Sequence, residues 1–280
     1  MLRIEIGCEM TYDVRQQTVI LFQIAAASTR HQQVLSQRLD FSPLLNVETF
    51  RPGADGNYLH RVVVNPCFLR VQYSASMAMT PEVESVTEVG ETMMSQIPPD
   101  VLTYLNPSRY CESDLLARFA FEEFGNLYRG YSRVQAICDW VFDHLDYAPG
   151  STIGTTTAAD VLLQRTGVCR DYAHLAITLC RGVGIPARYV AGYAVDLQPP
   201  DFHGFMEAFL AGRWYLFDPT RLSRIRGLVR IGVGRDAADV SFATLNGDAL
   251  LIDKAVWAYV PGGGPCDGTD QSGGNAISTA

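Results

Sequence analysis

The stretch 166-TGVCRDYAHLAITLCRGVGIP-186 reads as a turn followed by a helix, and the second half of the chain is organised around it. From Tyr172 onward the apolar positions Tyr172, Leu175, Ala176, Leu179 and Val183 recur at helical spacing. Gly182 and Gly184 supply the stop. Cys169 therefore lies in the first turn of that helix or just ahead of it. Unpaired N–H groups and the positive end of the helix dipole favour a thiolate at such a position. Cys180, farther along the same helix, lacks these neighbours and reads as packing. A lone cysteine is often a small buried hydrophobe, so a nucleophile here needs a base.

The histidines are His31, His60, His144, His174 and His203. His31 and His60 fall on polar or alternating stretches and are expected at the surface. His144 closes a helical stretch, where a cation suits the dipole. His174 follows Cys169 by five residues, so on a regular helix it points away around the axis. His203 sits in 201-DFHGFMEAFLAGRWYLFDPT-220. If Ala211-Gly212 makes a two-residue hairpin, Leu210 faces Arg213 and Phe205 faces Asp218. His203 then shares a face with Asp218, about 7–8 Å away along a diagonal. A three-residue loop would put the two on opposite faces.

The 280 residues, 48% hydrophobic and 19% charged, suffice for two packed domains. Residues 1–105 carry β-branched and aromatic runs split by turn formers, which predict an antiparallel β-sandwich-like domain. Pro98-Pro99-Asp100 and Asn106-Pro107-Ser108 mark a boundary. Within 106–260 the spacing predicts a helix opening near Ser113, one capped by Ser132 and a short one capped by Thr157. Strands return after residue 185, so an α+β domain follows the all-β one. The Gly- and Ser-rich residues 261–280 read as a flexible tail.

A net charge of -8 and a pI near 5.1 argue against nucleic acid or an acidic membrane as partner. The most cationic stretch, 221-RLSRIRGLVR-230, reads as a strand with one wet face. No apolar run is long enough to span a bilayer. Seven scattered cysteines without a CxxC pair suit a reduced compartment, and the opening MLRIEIGCEM lacks the regions of a secretory signal. The expected location is the cytoplasm. No HExxH, clustered Cys/His set or phosphate-binding glycine motif is present, so neither metal nor cofactor is expected.

Three blocks together resemble the transglutaminase-like superfamily in its bacterial branch. They are TAADVLLQRTGVCRDYAHLAITLCRGVGIPARYVAGY, HGFMEAFLAGRWYLFDPT and IGVGRDAADVSFATLNG, which cover residues 157–247. The β-rich region before them is also similar to that branch. The resemblance implies a papain-like α+β core with Cys169 as nucleophile, His203 as base and Asp218 orienting the histidine. Glu207 matches a recurring glutamate and is expected to be a structural partner. Relatives usually carry Ala-Trp after the histidine, where this chain has Gly204-Phe205, which bears on substrate preference.

The implied chemistry is acyl transfer on a peptide or protein substrate. The backbone N–H of Cys169 would help to hold the oxyanion, with Tyr147 a candidate second donor. Hydrolysis by a cysteine peptidase or amidase is the leading expectation. A protein-glutamine transglutaminase and a non-catalytic binding module are the alternatives. Arg235, Asp236 and Asp239 of the GRDAAD stretch are expected to brace a loop by charge-assisted hydrogen bonds.

Overall fold

The computed structural model describes residues 1–52, 56–263 and 274–280. The first third is built of strands β1 (Leu2–Val14), β2 (Thr18–Phe22), β3 (Gln32–Ser42), β4 (Glu48–Phe50), β5 (Leu59–Val64), β6 (Cys67–Met79) and β7 (Glu82–Ser85). Alternation drives the long ones. In β5 the buried residues His60, Val62 and Val64 take turns with outward Arg61 and Val63. His60, expected at the surface, is thus buried because its strand position points inward.

Then come α1 (Ser113–Phe124), α2 (Tyr131–His144), β8 (Asp146–Tyr147), α3 (Ala158–Gln164), β9 (Thr166–Gly167) and α4 (Cys169–Gly182). Thr157 caps α3 in a reciprocal pair with Asp160, as its sequence predicts. At α2 the cap is Gly130, and the Ser132 hydroxyl instead donates back to Tyr128 O at 3.1 Å. Strands β10 (Ala187–Ala194), β11 (His203–Leu210), β12 (Arg213–Phe217) and β13 (Leu228–Gly234) follow, then β14 (Ala243–Asn246), β15 (Ala249–Tyr259) and β16 (Asn275–Ser278).

The core sheet runs β12-β11-β10-β13 with antiparallel neighbours, and α4 packs on one face of it. Two further sheets, β15-β1-β6-β3 and β14-β2-β5-β4, enclose a second core of residues such as Ile4, Ile20, Val62 and Val71. Tyr193, Val229 and Ile231 from the core sheet pack into that same cluster, so the two units share apolar contact.

The strand pairing departs from a division at residue 105. Strands β14 and β15, within the segment 106–260, pair with β2 and β1 of the first unit. Part of the expected tail is also a strand: β16 pairs with β7, and Ile277 is buried. Residues 264–273 of that expected tail, Cys266 among them, lie outside the described residues. The stretch 221–230 is not one strand with a wet face: Arg224 is exposed ahead of the strand, and only Leu228, Val229 and Arg230 belong to it. The stretch forms a short turn and then enters β13, all of whose residues are buried. No helix among the described residues is long and apolar enough to cross a membrane.

Candidate active site

Cys169 is the first residue of α4 and is half-buried. The helix start is held by Asp171, whose fully buried carboxylate accepts from Val168 N at 2.9 Å and from the Thr152 hydroxyl at 2.6 Å. Arg170 neutralises that carboxylate at 2.9 Å and also donates to Ile153 O. This bracing fixes the direction in which the thiol leaves the helix.

The hairpin takes the two-residue form, with Ala211 and Gly212 both at positive φ and Leu210 opposite Arg213. Met206 lies opposite Phe217, which carries Asp218 to the side of β11 that also bears His203. The His203 Nε2 to Asp218 Oδ2 distance is 2.8 Å, and both side chains are buried. Asp218 Oδ1 accepts from the backbone N–H and the hydroxyl of Thr220, at 3.0 and 2.7 Å. With Nε2 engaged, Nδ1 is the ring nitrogen left for Cys169, whose side chain neighbours the ring; Nδ1 is buried and has no closer hydrogen-bond partner among the described residues.

Burial by itself would discharge His203, but Asp218 and the neighbouring Cys169 reverse this and hold its pKa up, to about 10. Burial likewise opposes the Asp218 charge, and His203 and Thr220 overcome it, so the carboxyl sits below its ordinary value. The structure thus brings Cys169, His203 and Asp218 together, with the imidazole between the thiol and the carboxylate.

Tyr147 reaches the same place by another route. The parallel pairing of β8 with β9 sets Tyr147 beside Gly167, two residues ahead of Cys169. Its hydroxyl interacts with both the backbone N–H and the side chain of Cys169. Burial, then the adjacent Cys169, raises the pKa of the phenol, which stays protonated and able to donate.

A cleft of about 340 Å³ opens beside the thiol. Tyr110, Tyr189, Phe202, Ile231 and Phe242 contribute to its largely apolar lining, and Lys254 reaches it from β15. Lys254 Nζ is paired with both carboxylate oxygens of Asp201, at 2.5 and 2.7 Å. Phe205 does not line this cleft. It is fully buried and packs with ring centroids 6.0 Å from His203, so the Gly-Phe departure places an aromatic behind the histidine.

Glu207 is fully buried between Arg188, at 2.7 Å, and Arg230. It ties together β11, β10 and β13. Arg235 and Asp239 pair at 3.0 Å, while Asp236 accepts from Tyr110 N and Ala238 N at 2.8 and 2.9 Å. These contacts brace the loop that brings Ala237 and Val240 to the cleft.

His174, which the spacing turns away from the thiol, has its own place. Its Nε2 accepts from Ala237 N at 3.1 Å, and its ring packs 5.1 Å from both Tyr110 and Tyr189. Burial, reinforced by Arg170, lowers its pKa to about 3, so it remains a neutral acceptor. Nothing in a helical spacing could have pointed to that partner, which arrives from residues over sixty positions later. Among the described residues no group of three or more His, Cys, Asp or Glu side chains is gathered to hold a metal.

A half-buried thiol at a helix start, facing an imidazole that is paired with a carboxylate on the next strand, defines a thiol site on a transglutaminase-like core. Family comparison agrees on the fold. The model described as transglutaminase-like superfamily matches residues 119–219, and that described as bacterial transglutaminase, N-terminal domain, matches residues 2–98. The crystal structure of a candidate cysteine protease from Cytophaga hutchinsonii superposes with a TM-score of 0.92 at 35% identity, covering 99% of this chain and 97% of that one. The chain belongs to the transglutaminase-like superfamily.

An uncharacterized protein of Mycobacterium leprae is 37% identical over 117 residues, which are 39% of this chain and 42% of the relative. One from Mycobacterium bovis is 35% identical over 135 residues, 41% of this chain and 43% of the relative. The match therefore spans about two-fifths of the length of these curated relatives.

Proposed function

We propose that this protein is a cysteine peptidase or amidase that hydrolyses a peptide or amide bond through Cys169, His203 and Asp218. The observation that carries the reading is the His203–Asp218 pair, 2.8 Å apart and buried, set against a half-buried thiol at a helix start.

In this mechanism the Cys169 thiolate attacks the scissile carbonyl carbon, and His203 enters as imidazolium. Asp218 holds the Nε2–H, which leaves Nδ1–H aimed at the reacting atoms. The oxyanion is held by the Cys169 backbone N–H, with the Tyr147 hydroxyl as second donor once substrate has displaced it from that N–H. The C–N bond breaks as His203 Nδ1 gives its proton to the departing amine. Water then attacks the thioester, returns a proton to His203 and releases the acid, restoring the thiolate–imidazolium pair.

The test begins with thiol reactivity. Cys8, Cys111, Cys138 and Cys180 are buried, and burial raises all four thiols. Cys67 is half-buried like Cys169 but stands at a strand start. Iodoacetamide at pH 6, read by mass spectrometry, is expected to label Cys169 well ahead of Cys67. An activated p-nitrophenyl ester should then leave its acyl group on Cys169, and Cys169→Ala should release no burst. Equal labelling of Cys67 and Cys169, with no acyl adduct, overturns the reading. Transfer of that acyl group to an added primary amine faster than to water would assign transamidation instead.

A further inference from the structure

The floor of the cleft holds a phenol that the mechanism above does not use. Tyr189 lies on β10 and is largely buried, yet its side chain lines the cleft with Cys169 and His203. Its ring is fixed from behind by His174, 5.1 Å away, and His174 is fixed in turn by Tyr110 and by the Ala237 N–H. The ring lines the cleft, so a hydroxyl there can donate to what the cleft holds.

The room for that hydroxyl comes from Gly204, the residue after His203. Gly204 faces Ala191 across the β10–β11 pair, one alternate position from Tyr189. A Cβ at 204 would fall inside contact distance of Tyr189 Oη and about 3.1 Å from two of its ring carbons. An alanine there would push the hydroxyl from its present position.

The rest of the cleft limits what can lie against this phenol. Its walls include Tyr110, Phe202, Ile231 and Phe242. Its cations are already paired, Lys254 with Asp201 and Arg170 with Asp171. An anionic side chain would find no free counter-charge, whereas a large apolar one would be covered.

We propose that Tyr189 Oη, admitted by Gly204, donates a hydrogen bond to the acyl donor, and that this cleft selects a peptide acyl group with a large apolar side chain. The acceptor is the carbonyl oxygen of the amide or carbamate on the nitrogen of that residue. Tyr189 is a specificity-determining residue in this scheme, which rests on the acyl-transfer reading of Cys169.

Two p-nitrophenyl esters separate the possibilities. N-benzyloxycarbonyl-L-phenylalanine p-nitrophenyl ester carries the acceptor carbonyl, and p-nitrophenyl 3-phenylpropanoate keeps the phenyl group without it. Tyr189→Phe, which retains the ring, is expected to lower kcat/KM for the first by about tenfold, the scale of one hydrogen bond. It should leave the second within about twofold. Gly204→Ala should reproduce that selective loss, and the double variant should lose no more than the worse single one, because both act on one hydroxyl.

Iodoacetamide labelling of Cys169 and the melting temperature should be unchanged in Tyr189→Phe. An equal loss on both esters, or no loss on the first, overturns the proposal while the wild type still acylates at Cys169. Failure of the wild type to form an acyl-enzyme with either ester overturns the underlying reading, and the proposal falls with it.

Discussion

At the scale of single residues, the buried imidazole–carboxylate pair sets how the protein should respond to pH. His203 keeps its proton up to about 10 in the folded chain, against an ordinary value of 6.5. Its contribution to stability is therefore complete below 6.5 and is lost as pH rises through about 10. Asp218 is shifted the other way, so its contribution is present above 3.8 and is lost as pH falls through its depressed value. The pair stabilises most between 3.8 and 6.5. Asp218→Asn removes the charge that holds His203 protonated. The alkaline limb of amide turnover, where His203 loses the proton it gives to the leaving amine, should then move down from about 10 towards 6.5, with activity falling by about 10²–10⁴-fold. A pH profile of kcat/KM on an amide substrate, whose leaving group needs the His203 proton, measures the shift, and an unmoved limb would mean that the carboxylate does not tune the ring.

Among the elements, the core sheet depends on a charge cluster sewn across three strands. Arg188 lies directly opposite Glu207 on the adjacent strand, and Arg230 reaches the same carboxylate from β13. Glu207→Gln removes the charge of the carboxylate that two buried guanidinium groups share and should cost about 3–5 kcal/mol of stability, read by urea denaturation. The protein that remains folded should still label selectively at Cys169, since Glu207 does not touch the thiol. The legibility of these elements in sequence follows their range. The hairpin register was legible only conditionally, since Ala211-Gly212 allows a two-residue turn without requiring it, whereas the α4 start could be read because its apolar rhythm is local. Strand β3, QQVLSQRLDFS, escaped because it is mostly exposed and polar, so its strand character comes from pairing with β6. The partners of His174 and Arg230 were illegible for the same reason: each is supplied by a segment distant in sequence.

For the whole molecule, the decisive feature is that the chain returns to where it began. Strands β14, β15 and β16 pair with β2, β1 and β7, so the two units are joined by sheets as well as by a shared apolar cluster. Heat should therefore unfold both together, as one transition in calorimetry, and residues 106–280 expressed alone should not fold, because β15 would lose its neighbour β1. Two separate transitions, or a soluble fragment with a reactive Cys169, would contradict this. The same return leaves the thiol, the ring and the carboxylate in the core, while Phe242, Ala243 and Lys254 arrive from the segment that ends in the first unit's sheets. Part of the cleft wall is thus lodged outside the core that holds Cys169, His203 and Asp218, so heredity can redraw one outlying rim and leave those three side chains alone.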